Sequence, residues 1–175
     1  MSCVVGLVHN GKIYMGSEGL ATTNEGEKRP IITNKVFRNG KYLFGFTGSV
    51  RTGQLVYPRN FTPPNDVFEL PDAIREHLSI KGSLLTGEDQ MQIHGSNFMI
   101  GINGVLYELL IDFQLNEVAG DFSAIGSGGA YALGSLFTTR KSYKMKPESR
   151  VKKALEAACE YDASCGPPFM IEVLE

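Results

Sequence analysis

"SCVVGLVHNGKIYMGSEG" (residues 2–19) holds two apolar runs, Val4 to Val8 and Ile13 to Met15, on either side of "HNGK". Asn-Gly is the strongest short-range hairpin signal, because both central residues of a tight hairpin turn need positive φ. The stretch therefore predicts two antiparallel strands that start almost at the amino terminus, where most chains fray for want of contacts. Such a start would hold Ser2 in a fixed place.

The same grammar recurs further along. "KVF" and "KYLFGF" flank "RNGK" (residues 38–41), and "FMIGI" and "VLYELLI" flank Asn103-Gly104, so two more hairpins are expected. "DFSAIG" (residues 121–126) and "FMIEV" (residues 169–173) supply further strands. "TGSVRTGQLVY" (residues 47–57) predicts a helix with Thr47 or Ser49 near its cap, stopped by Pro58, Pro63 and Pro64. "LPDAIREHLSI" (residues 70–80) predicts a second, and residues 81–96 read as connection. In "GGAYALGSLF" (residues 128–137) Ala130, Leu133 and Phe137 share a helical face. In "PESRVKKALEAACEYD" (residues 147–162) Val151, Ala154, Leu155 and Ala158 form one stripe, and Asp162 falls on it. A carboxylate there opposes both burial and the negative end of the helix dipole, so it needs a specific donor. Hairpins rather than βαβ units, interrupted by pairs of helices, predict an α+β protein: a four-layer αββα sandwich of two antiparallel sheets flanked by helices.

At 175 residues the chain reads as a single domain, 1–175. A net charge of -2 gives no general attraction to nucleic acid or to an anionic membrane. No apolar run reaches the length of a membrane span and no signal segment leads the chain, so the cytoplasm is the expected location. Cys3, Cys159 and Cys165 are odd in number and lack metal-site spacing; they read as reduced thiols, and no metal or cofactor is implied. Asn60-Phe61-Thr62 matches a glycosylation sequon and, with no secretory signal, reads as chance.

His9, His77 and His94 make no triad or metal pattern. The alternative nucleophile is Ser2. If Met1 is removed, its free α-amine, with an unperturbed pKa of roughly 7.7 to 8.0, would serve as base for its own hydroxyl. That chemistry requires a nearby cation, a carboxylate to hold the cation, and donors for the oxyanion.

Four segments together resemble the proteasome β-type subunits and the bacterial peptidase HslV, within the amino-terminal-nucleophile hydrolases. They are "AIGSGGAYALGS" (residues 124–135), the opening hairpin with Glu18 sixteen residues after Ser2, "KVF" with "FGFTGS", and "DASCGPP" (residues 162–168). The resemblance implies that Ser2 stands for the catalytic threonine, Lys35 for the lysine that tunes it, and Glu18 for the aspartate that pairs with the lysine. It further implies that Gly48 offers its N–H to the oxyanion, that Ser127 and Asp162 orient the amine, and that Thr22 holds the substrate as an added strand. A self-compartmentalising peptidase is then expected: a homo-oligomeric ring acting on peptide or unfolded protein, with an ATPase unfoldase as a further partner. Three departures point to an alternative, a catalytically weak or inactive ring protein with a structural or interaction role. Serine lacks the methyl group that restricts threonine's χ1, glutamate is one methylene longer than aspartate, and Cys165 stands where the family has a serine hydroxyl. A third reading takes "GSGGAYALG" as a phosphate loop, but no Lys-Ser or Lys-Thr follows it.

Overall fold

A computed structural model describes residues 2–22, 27–31, 33–87, 91–142 and 144–175. Strands β1 (Val4–His9) and β2 (Lys12–Ser17) form the opening hairpin, with Asn10 at φ 51° and Gly11 at φ 76°, as a tight Asn-Gly turn requires. Two further hairpins follow, β3 (Leu20–Thr22) with β4 (Lys28–Pro30) and β5 (Val36–Asn39) with β6 (Tyr42–Gly48). Helices α1 (Val50–Leu55) and α2 (Leu70–Ile80) follow, the first capped by the Ser49 side chain, which accepts from the Thr52 N–H. The connection after α2 contains a short hairpin, β7 (Leu85–Thr86) and β8 (Gln92–Ile93), that its polar sequence does not announce. Strands β9 (Ser96–Ile102), β10 (Val105–Leu109), β11 (Leu115–Glu117) and β12 (Phe122–Ile125) precede helices α3 (Gly129–Thr139) and α4 (Pro147–Tyr161), and β13 (Met170–Leu174) ends the chain.

The expected two sheets become four among the described residues. One large sheet has the order β12-β1-β2-β13 and the other β11-β10-β9-β6-β5, while β3-β4 and β7-β8 stand as separate hairpins. Pairing throughout is antiparallel. Three apolar clusters account for the packing. Val4, Ile13 and Met15 of the first sheet meet Leu43, Met99 and Leu106 of the second. Cys3, Val5 and Leu7 pack with Ala132, Leu136, Val151 and Leu155 of α3 and α4. The aromatic side chains Phe37, Phe44, Phe46 and Phe98 pack with Leu70, Ile74 and Leu78 around α2. Each sheet thus has its own pair of helices, and alternating side chains serve its two faces.

One sequence expectation is completed here and one is corrected. Ala130, Leu133 and Phe137 do share a face of α3, but it is exposed; the buried face carries Gly129, Ala132, Leu136 and Thr139. Small residues at the contact let α3 and α4 approach closely, which is why the less apolar face is the buried one. Asp162 is not helical: it caps α4 in extended conformation and is only partly buried, so its carboxylate does not lie in the apolar stripe.

His94 is fully buried between Phe98 and Phe113, its Nε2 donating to the Leu110 carbonyl at 2.8 Å and its Nδ1 without a hydrogen-bond partner. Burial lowers its pKa from 6.5, outweighing the opposing pull of the Leu110 carbonyl and Asp112. The unfolded chain therefore takes up a proton at His94 before the folded one does. Stability should be full above pH 6.5 and fall as the pH drops from there through the lower folded-state pKa. Urea midpoints at pH 7.5 and 5.5 check this, and His94→Gln should flatten the slope over that interval.

Candidate active site

Ser2 is 3% exposed, Glu18 0% and Lys35 3%, so the three predicted groups lie together in the interior. The opening hairpin places Ser2 just before β1 and Glu18 just after β2, and the Glu18 N–H donates to the Cys3 carbonyl at 3.2 Å. Lys35 reaches them from the start of β5. Its ammonium donates to Ser2 Oγ at 3.1 Å, to Glu18 Oε1 and to the Leu20 carbonyl. The Ser2 hydroxyl donates to Glu18 Oε1 at 2.7 Å, while the other carboxylate oxygen accepts from Leu20 N at 2.7 Å and Gly166 N at 3.4 Å.

A second group surrounds the Ser2 backbone. The Ser127 hydroxyl accepts from Ser2 N at 3.1 Å and lies near the Ser2 carbonyl at 3.4 Å. Asp162 accepts from Ser164 N at 2.8 Å and from Cys165 Sγ at 3.6 Å. Partial burial raises the Asp162 pKa, but the hydrogen bonds from Ser127, Ser164 and Cys165 outweigh it and leave the carboxyl below its ordinary value. Gly126, which the sequence reading quoted without a role, sits at φ 93°, and a Cβ there would lie 2.2 Å from the Ser2 carbonyl oxygen. Only glycine fits this close approach.

Gly48, at φ 95°, lines a cavity of about 60 Å³ over Ser2, together with Leu20, Ala21, Lys35, Phe46, Thr47 and Val50. That is room for about two waters, far less than the roughly 300 Å³ at which small-molecule pockets begin. The Thr22 backbone pairs with Lys28 at the open end of β3, and its side chain lies outside the described residues. The structure thus brings Ser2, Glu18 and Lys35 into direct contact and places Ser127, Asp162 and Gly48 around them. The sequence reading missed the Leu20 carbonyl, because a backbone acceptor leaves no signature in residue identity.

Cys3 offers no substitute nucleophile: burial first, then the Glu18 charge, pushes its thiol up to about 12. Burial likewise raises Cys159 to about 11 and raises Cys165.

No protein-family model matches the chain, and no curated protein does. Among solved structures it is similar to Thiobacillus denitrificans BPH in complex with epoxomicin, at 20% identity and TM-score 0.86, over 99% of this chain and 98% of that one. It is similar to a eukaryotic HslV from Trypanosoma brucei at 18% identity and TM-score 0.73, over 99% of each chain. It is similar to Anbu, an ancestral beta-subunit, from Yersinia bercovieri at 14% identity and TM-score 0.67, over 99% of this chain and 81% of that one.

The expectation of an active peptidase with Ser2 as nucleophile is overturned. The likeness to BPH and Anbu carries the fold and does not extend to a peptidase activity of Ser2. The site supplies the physical reason. The longer glutamate side chain reaches past Lys35 to the hydroxyl and engages its proton. Carboxylates as a class are weaker bases than α-amines by about 3.5 pK units, and a hydroxyl that donates its proton to Glu18 does not present that proton to the α-amine. While Met1 is attached, Ser2 N is an amide whose lone pair is delocalised into the carbonyl and takes up no proton.

Proposed function

We propose, from the premise that this chain has the α+β fold of the HslV and proteasome β-type subunits, that it is a catalytically weak or inactive subunit of a homo-oligomeric ring with a structural or interaction role. The two large sheets and their helices form the four layers of a single domain spanning residues 1–175. Among the described residues no helix is long and apolar enough to cross a membrane.

The observation that carries this reading is the 2.7 Å contact between the Ser2 hydroxyl and Glu18. In this arrangement Lys35 neutralises Glu18, and Ser127 and Asp162 fix the Ser2 backbone, so the residues of a nucleophile site act as a buried polar clasp. Gly48 and Thr22 leave a short backbone edge beside it, suited to an extended peptide that binds without being cut. Peptide or unfolded protein is then a ligand class for the ring, and an ATPase unfoldase is a partner its fold would accommodate.

Intact mass after exposure to epoxomicin tests the reading. No adduct is expected, peptide hydrolysis should equal that of Ser2→Ala, and light scattering should show an oligomer. Removal of Met1 with stoichiometric adduct, or a monomer, would overturn it. The triple substitution Ser2→Thr, Glu18→Asp, Cys165→Ser in protein lacking Met1 should raise hydrolysis by about 10²-fold, the low end of what a positioned general base contributes.

A further inference from the structure

Among the described residues outside the Ser2 site, Arg150 is a buried cation without an ion-pair partner. Arg150, in the first turn of α4, is 7% exposed, and among the described residues its buried Nε has no hydrogen-bond partner and no carboxylate lies within 4.0 Å of it. A guanidinium keeps its charge at any physiological pH and presents a planar fork of donors suited to an oxyanion. Burying it unpaired is unfavourable, and burial draws its pKa down despite the attraction of Asp121.

Arg150 lines a cavity of about 350 Å³ between the end of β1, the start of β12 and the α3–α4 connection. Arg140, which follows α3, lies on the same wall with its guanidinium held over the Phe137 ring at 3.6 Å, and His9 lines it from β1. Pro147 brings the first turn of the fifteen-residue α4 to the cavity, and the N-cap Lys146 makes no side-chain cap hydrogen bond. The leading N–H groups of α4 are therefore uncapped by that side chain, and the positive end of the helix dipole adds to the two arginines. Asp121 is the acidic residue of the lining, and Glu148 lies in the first helical turn; neither pairs with Arg150.

We propose that this cavity is a phosphate-binding site in which Arg150 and Arg140 grip the oxyanion from opposite helices. The cavity exceeds a bare phosphate in size, so the group arrives either as free inorganic phosphate or as the phosphate of a small ester such as a nucleoside monophosphate. The site is separate from the cavity over Ser2 and does not depend on whether Ser2 is reactive.

Inorganic phosphate is the probe. In ³¹P spectra of the full chain at constant ionic strength its line should broaden saturably, and phosphate but not chloride should raise the melting temperature. Arg140→Gln, an exposed position whose loss leaves the core intact, should weaken binding about tenfold, and Arg150→Met should abolish it; if the latter fails to fold, the former decides. Adenosine monophosphate binding more tightly than phosphate would identify an ester as the ligand, and equal binding would identify free phosphate. Absence of saturable broadening, an equal response to chloride, or wild-type affinity in Arg140→Gln overturns the proposal.

Discussion

Lys35→Met is expected to destabilise the protein by about 3–5 kcal/mol, the cost of leaving a buried charge without its partner. Glu18 is fully buried and its carboxylate has four protein donors: Lys35, Ser2, Leu20 and Gly166. Three of them are neutral and cannot offset a full negative charge removed from water. Methionine fills most of the lysine stem, so the loss reports the charge rather than a cavity. Urea unfolding of the single variant, of Glu18→Gln and of the double variant closes a thermodynamic cycle. The double variant should recover most of the loss, because both charges leave together. A single-variant cost below about 1 kcal/mol, the range of solvent-exposed pairs, would mean that the ammonium and carboxylate are hydrated in solution.

Gly126→Ala should cost about 3 kcal/mol. Two separate penalties act at this position. An L-residue at φ 93° is strained whatever surrounds it, and the new methyl group would meet the Ser2 carbonyl oxygen at 2.2 Å. That carbonyl already accepts from Gly128 N at 3.3 Å, so relief of the clash displaces Ser2 itself. Gly134→Ala is the control: a Cβ there meets nothing within 4 Å in mid-α3, and alanine should stabilise by about 0.5–1 kcal/mol. Thermal and urea melts of the two variants should therefore move in opposite directions. Equal shifts would remove the close approach of residues 2 and 126 from the account.

Much of this organisation was legible in the residues. The Asn-Gly pairs at 10 and 103 announce their hairpins because few other dipeptides adopt positive φ so cheaply; at the third, Gly40 alone does so while Asn39 pairs with Tyr42, and the 2-residue period on either side places the strands. The meeting of Ser2, Glu18 and Lys35 was legible only through the family resemblance, since nothing in local pattern says that residues 2 and 35 touch. Strand β11 has no apolar alternation to show and its pairing with β10 is decided by tertiary contact. Which face of α3 is buried was not legible, because both carry apolar residues, and the smaller side chains win the helix–helix contact. Hardest to read was the consequence of one methylene. Glutamate keeps the charge that the site requires, and only coordinates show that its oxygen also reaches the hydroxyl.

The strand orders also dictate when each part of the molecule can form. The five-stranded sheet is drawn entirely from residues 36–117 and can pair as soon as that stretch has left the ribosome. The four-stranded sheet joins residues 4–17 to residues 122–125 and 170–174, so its opening hairpin must wait, one apolar face uncovered, until residues 170–174 have emerged. Closing loops of that length is slow, and Glu18 gains its Gly166 donor only when the last of them shuts. The opening hairpin is thus sealed after the five-stranded sheet, and during that interval the nascent chain has its greatest need of a chaperone.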